Sequence, residues 1–402
     1  MLGVIGWLLV SLLISTEARY FGGYYQDDQN GLTSQSSQVD NQLLEELLNL
    51  ENERSEDGTA ETVGSNPVET IGNRQQLFNN GGNHAEENIE WTKNIVKSIS
   101  KLGQISGLAS SQDFLYLFHR GNVTWNERSF NEETNVYNHQ HEPISVNTVV
   151  AVDHLTGEIM FSWGKSQFFM PHGISVDPQG NIWLTDVALH QAFRYKKNNF
   201  DQPDLVLGEA FIPGSDDKHF CKPTDVAIAS TGVIYISDGY CNSRVVIFSA
   251  IGQYLAEIGR SDKMIIPHSL SLLEVEDLLC VADRENGRIM CYNAGLSSYR
   301  QAGQLLFDIR HSELIKPYAI AHIGDIILSL NGGSESTVGI SMDLATEQVV
   351  DLWSPNNDTF HSAHDMAMSH DERSFYVCQF SGNNSKVIKF NFVESSQMLL
   401  IN

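Results

Sequence analysis

The stretch Met170–Gln191, MPHGISVDPQGNIWLTDVALHQ, decides how the chain is read. A small residue opens an alternating strand, a Pro-Gln-Gly-Asn turn follows, and a second apolar strand ends on Asp186, the pattern of a β-hairpin. The same template recurs as QISGLASSQDFLYLFHRG from Gln104, KPTDVAIASTGVIYISDGY from Lys222 and IPHSLSLLEVEDLLCVADR from Ile266. It returns as KPYAIAHIGDIILSLNG from Lys316 and SAHDMAMSHDERSFYVCQF from Ser362. A third strand follows each unit, such as HQAFRY or GRIMCY, and usually a fourth, such as DLVLGEA or QVVDLWS. Four short strands every ~45–65 residues is the spacing of a propeller blade. Six units therefore predict an all-β, six-bladed β-propeller. A β-sandwich would leave the six recurrences unexplained.

The blades resemble the NHL repeat, which opens on Pro-x-Gly or Pro-x-Asp and ends its second strand on Asp. Asp186, Asp238 and Asp283 hold that terminus, and blades one, five and six are read with His119, Leu330 and Gln379 there.

The residue before the small opening position is Ser106, His172, Thr224, His268, Tyr318 and His364 in turn. Histidine thus falls in alternate blades, each 96 residues after the last. The innermost strands of a propeller line its central channel, so these three imidazoles converge about 120° apart around it. Three neutral imidazoles with a fourth position open are a metal site, and zinc suits them because the shell is all nitrogen and calls for no redox change. Arg120, Tyr240 and Arg284 follow the second strands of blades one, three and four and reach the same channel mouth. Guanidinium groups beside a metal suit an anionic substrate group such as a carboxylate. A tyrosine there can act as a general base.

The chain has 402 residues with 41% apolar content, enough for a large core, and a net charge of −25 that repels nucleic acid. Leu2–Ile14 is apolar and leads to Thr16-Glu17-Ala18, which reads as a signal peptide over residues 1–18. Residues 19–90 are acidic and rich in Gln, Asn, Ser and Gly, which predicts disorder. Within them Asn41–Glu53 carries Leu43, Leu44, Leu47 and Leu48 on one helical face. The propeller is assigned to 91–402. No later stretch is long and apolar enough to anchor the chain in a membrane, so it is expected to be secreted or lumenal.

Five cysteines then meet an oxidising compartment. Four of them allow three pairings. A Cys221–Cys241 bridge would pin the loop that carries Tyr240, and Cys280 and Cys291 could pair across adjacent strands beside Arg284. Cys378, in the apolar run FYVCQF, reads as a buried free thiol. Asn122, Asn357 and Asn383 head N-glycosylation sequons.

The strings FHRG, MPHGISVD, TDVALHQAF, HFCKPTDVAI, SDGYCNSRVV, PHSL and VADRENGRI resemble the peptidyl-α-hydroxyglycine α-amidating lyase family, from about Leu102 to Phe392. The resemblance implies a six-bladed propeller that splits a C-terminal α-hydroxyglycine into a peptide amide and glyoxylate, the last step of neuropeptide amidation. It implies zinc on His172, His268 and His364, with Arg120, Tyr240 and Arg284 as catalytic groups. It also implies a structural calcium on the Asp365 carboxylate and the carbonyls of Leu108 and Ile174, and the two disulfides above. Where the family has Met-Pro before the third histidine, this chain has Ser362-Ala363. In many animals the lyase is fused to a copper monooxygenase. The short N-terminal segment here predicts a free-standing, monomeric lyase supplied with substrate by a separate copper monooxygenase.

Two other functions compete. A non-catalytic NHL propeller that binds a protein partner would need no metal. A calcium-dependent propeller hydrolase would need carboxylates and amides at the channel centre in place of imidazoles.

Overall fold

The computed structural model describes residues 86–87, 102–138, 142–333, 336–355, 359–381 and 384–392. All lie in the unit spanning Arg74–Asn402. The expected signal peptide, the helix at 41–53 and the sequons at Asn357 and Asn383 fall outside the described residues.

Six four-stranded antiparallel sheets follow one another along the chain. Their innermost strands are Ile105–Ser110, Pro171–Val176, Asp225–Ile228, Pro267–Leu273, Pro317–Ile323 and Ala363–Met368. The expected six-bladed propeller is present. Blade six takes three strands from the C-terminal part, and its outermost strand is Glu86–Glu87, paired with Phe390 and Asn391. That pair lies in the stretch read from composition as disordered. It closes the ring by adding an N-terminal strand to the C-terminal sheet.

Burial explains the composition of the strands. Second strands such as Ile234–Asp238 and Leu278–Asp283 are buried at every position, packed on both faces by neighbouring blades. They read as continuous apolar runs for that reason. Outermost strands such as Ile159–Trp163 and Gln348–Trp353 keep one face in water. The core lies between blades. Leu108, Leu115, Val150, Tyr376 and Cys378, for example, form one cluster where blade six meets blade one. Cys378 is a buried free thiol, as read from its apolar strand.

In blades one and two the glycine at the opening position has a steric cause. A Cβ on Gly107 would sit 2.7 Å from the His172 carbonyl oxygen, and one on Gly173 would sit 2.5 Å from that of Thr224. Adjacent inner strands approach too closely there for a side chain.

The polar residue ending each second strand ties down the loop that precedes the inner strand. Asp186 accepts hydrogen bonds from the backbone N–H groups of Phe169, Met170, Ala188 and Leu189 at 2.7–3.1 Å. Asp238 and Asp283 serve Cys221 and Ile265 in the same way and also pair with Arg244 and Arg288. Blade five corrects the sequence reading. Asn331, not Leu330, lies opposite Pro317, as Asp186 and Asp283 lie opposite Pro171 and Pro267. Leu330 points into the core, so the polar role passes to its neighbour on the other face of the strand. Asn331 accepts from the N–H groups of Ile315 and Lys316.

The Asp186→Ala variant strips an acceptor from four backbone N–H groups. It should lose at least about 3 kcal/mol in urea titration. Gln379, which accepts from one N–H (His361), should lose about 1 kcal/mol as Gln379→Ala.

Candidate active site

The three histidines occupy the second position of the inner strands of blades two, four and six. All are buried, at 2%, 3% and 6% exposure. Their ring centroids form a near-equilateral triangle of 4.9, 5.0 and 5.1 Å. Each Nδ1 lies against a backbone carbonyl of the next blade: Thr224 for His172 (2.7 Å), Tyr318 for His268 (2.6 Å) and Ser106 for His364 (2.8 Å). A carbonyl can only accept, so each Nδ1 carries the proton and each Nε2 keeps its lone pair. One ligand atom from each ring lies within 4.8 Å of the others. Burial, above all, pushes all three imidazoles well below the ordinary histidine value, His364 to about 3. Neutral rings with oriented lone pairs and carbonyl-bound Nδ1 atoms are a donor set suited to a metal. The triad therefore fits the zinc that the sequence predicts.

Tyr240 reaches this centre from the loop after the second strand of blade three. Its hydroxyl lies 2.9 Å from His172 Nε2 and 3.2 Å from His268 Nε2. Burial raises its phenol, while the nearby guanidinium groups of Arg284 and Arg120 pull the other way. The expected disulfides are formed. Cys221–Cys241 fixes the residue next to Tyr240, and Cys280–Cys291 joins directly opposed residues in blade four.

The arginines differ in their surroundings. Arg284 lies over the rings of Tyr318 (4.7 Å) and Tyr240 (5.4 Å), with Nε bonded to Glu285 at 2.9 Å. Arg120 is 3% exposed and donates to two neutral acceptors, the Pro171 carbonyl (3.0 Å) and Gln104 Oε1 (3.2 Å). Among the described residues no carboxylate forms an ion pair with it. A buried guanidinium without a counter-ion is prepared to receive an anion.

One residue further along the inner strands the column reads Gly107, Gly173, Asp225, Ser269, Ala319 and Asp365. Asp225 and Asp365 border a cavity of about 330 Å³ that Leu108 and Ile174 also line. The structure thus brings together the three residues expected to hold calcium. Sequence reasoning missed Asp225, although the same column that revealed the histidines contains it. Each carboxylate binds an inner-strand N–H of the next blade, Asp365 that of Leu108 (2.7 Å) and Asp225 that of Leu270 (2.9 Å). Burial first, and then Asp225, raises the Asp365 carboxyl well above its usual range, and burial raises Asp225 to about 6. Two buried carboxylates that repel each other fit a divalent cation with oxygen preference. Tyr318 was also missed as a site residue. Its ring lies 5.0 Å from His268 and 5.9 Å from His364. At Ser362 φ is 54°, matching Lys222 and Ile266 (both 60°) at the equivalent point of blades three and four. The Ser362-Ala363 departure therefore leaves the backbone path to His364 intact.

An NHL repeat family model matches residues 220–248. The chain is 38% identical over 288 residues to peptidyl-α-hydroxyglycine α-amidating lyase 2 of Drosophila melanogaster, covering 70% of each chain. It is 32% identical to lyase 1 of that species, over 81% of this chain and 63% of that one. Peptidylglycine α-amidating monooxygenase of Rattus norvegicus is 37% identical over 72% of this chain, which spans only 30% of that protein.

The carboxylate pair gives a signed prediction. A carboxyl raised by folding contributes stability below its unfolded value that is lost as pH rises through its folded value. Metal-free protein should therefore lose stability as pH rises from the ordinary aspartate value to about 6, and Asp225→Asn should melt higher than wild type at pH 7.5. With millimolar calcium the order should reverse in the same thermal scans.

Proposed function

The chain belongs to the peptidyl-α-hydroxyglycine α-amidating lyase family, and we propose that its channel centre cleaves peptidyl-α-hydroxyglycine into a peptide amide and glyoxylate. The observation that carries this reading is the phenol of Tyr240 set against the two Nε2 atoms of an imidazole triad. Around it stand two buried arginines, one of them in no ion pair with a carboxylate among the described residues. Those groups match the substrate, a carbinolamide with a hydroxyl to deprotonate and a carboxylate to hold.

Arg120 is assigned the substrate carboxylate, because among the described residues its guanidinium is bonded only to neutral acceptors, leaving that contact to bring it an anion. Arg284, over the ring of Tyr240, favours the phenolate over the phenol. Tyr240 as phenolate removes the hydroxyl proton. The O–H electron pair becomes the second bond of the glyoxylate carbonyl as the C–N bond breaks, and the proton taken by Tyr240 is returned to the leaving amide nitrogen. His172, His268 and His364 would hold zinc, whose chemistry there is Lewis-acid polarisation of the hydroxyl oxygen. The carbonyls of Thr224, Tyr318 and Ser106 keep the three rings oriented throughout. Asp365 with the carbonyls of Leu108 and Ile174 would hold a structural calcium, and Asp225 adds a second carboxylate to that cavity.

The two disulfides support an oxidising, secretory compartment. Among the described residues no helix is long and apolar enough to cross a membrane. In this reading a secreted monomer, with residues 1–18 as leader and Asn122 exposed for glycosylation, takes peptides from a separate copper monooxygenase.

Glyoxylate release from an acylated dipeptide ending in α-hydroxyglycine, measured beside zinc content, tests the proposal. Wild type should bind one zinc and turn over. Tyr240→Phe should lower kcat by about 10²-fold or more with little change in KM. Arg120→Ala should act mainly on KM. One zinc per chain with no glyoxylate would leave a metal-binding propeller and overturn the lyase reading.

A further inference from the structure

Between its second and third strands blade one makes an excursion from Arg120 to Thr148, where other blades turn within a few residues. The excursion carries its own frame. Asn126 Oδ1 accepts from Arg128 N–H (2.9 Å), and Asn131 Oδ1 accepts from the N–H groups of Glu133 and Thr134 (3.0 and 2.8 Å). Phe130 and Tyr137 pair across a β-bridge and are buried at 8% and 2%. They dock on Met170, Val187 and Ala188 of blade two. Lys222 of blade three donates to Asn135 Oδ1 at 2.9 Å and lies 4.3 Å from the Phe130 ring centroid. The segment is thus fixed on two other blades, as a wall that must keep its shape requires.

The side chain this frame delivers to the channel mouth is Trp125. Its ring lies 4.6 Å from that of Tyr240 and 5.1 Å from that of Phe130, and Arg120 Cζ is 5.7 Å from its centroid. Arg120 and Phe130 are buried, whereas Trp125 is half-buried. From His172 to Tyr240 is 5.3 Å and from Tyr240 to Trp125 a further 4.6 Å, so the indole stands one ring beyond the triad. In a bound peptide the Cα preceding the hydroxyglycine lies about 3.8 Å from the reacting carbon, and its side chain extends several ångströms more.

We infer that Trp125 is a specificity-determining residue, forming an apolar wall for the side chain that precedes the α-hydroxyglycine and selecting large apolar or aromatic residues there. The inference rests on the lyase reading. A half-buried indole held in place gains by packing against an aromatic or aliphatic side chain, and gains nothing from glycine.

The test compares kcat/KM for acyl-Phe-, acyl-Leu-, acyl-Gly- and acyl-Asp-α-hydroxyglycine in wild type, Trp125→Phe and Trp125→Ala. Wild type should prefer Phe over Gly by roughly tenfold. Trp125→Ala should bring that ratio near one, and Trp125→Phe should keep most of it. Equal losses on all four substrates in Trp125→Ala would assign the indole to holding Arg120 and Tyr240 in place and overturn the specificity role. An unchanged Phe-to-Gly ratio would overturn it as well. No glyoxylate from wild type with any substrate would be a failure of the lyase reading itself.

Discussion

Three hydrogen bonds organise the centre of this molecule, each from a histidine Nδ1 to the carbonyl of the equivalent residue in the next blade. They cross blade boundaries, so each joins two sheets at the channel. The same bonds fix the tautomer, leaving three lone pairs turned to a common point. Ser106, Thr224 and Tyr318 thus serve through their backbones, and the six-fold column divides into three imidazoles and three orienting carbonyls. Burial keeps the rings neutral, which a metal ligand must be. Fold closure and site chemistry therefore draw on one set of contacts.

The next residues of the inner strands repeat this logic with oxygen in place of nitrogen. Asp225 and Asp365 stand in blades three and six, and each is tied to an N–H of the following blade. A channel with a nitrogen layer and an oxygen layer side by side offers one cation a soft shell and another a hard one. The two layers need not compete for the same ion. Their supports differ too, since the disulfides brace the loops at the Tyr240 and Arg284 end.

Much of this was legible in the sequence, because a propeller converts period into position. The six-fold template placed every blade, and its histidine column placed the triad. Cys221–Cys241 and Cys280–Cys291 were among the pairings the spacing allowed. The misses have physical causes. Leu330 was read one residue early because it ends the apolar run IILSL, whereas the pairing places Asn331 opposite Pro317. Asp225 stood in the right column but looked like the small opening residue of its blade. Trp125 lies in a non-repeating excursion whose path from blade one to blade three leaves no periodic trace. Glu86–Glu87 sits in a segment whose composition argues against structure, yet a two-residue strand needs only an open sheet edge.

In the proposed site, three imidazole nitrogens from His172, His268 and His364 hold one metal ion. X-ray absorption at the zinc edge on purified protein measures that shell directly. The expected shell is three imidazole nitrogens at about 2.0–2.1 Å with at least one further light-atom ligand and no sulfur. A shell containing sulfur, fewer than three imidazoles, or an unchanged spectrum in His268→Ala would contradict it.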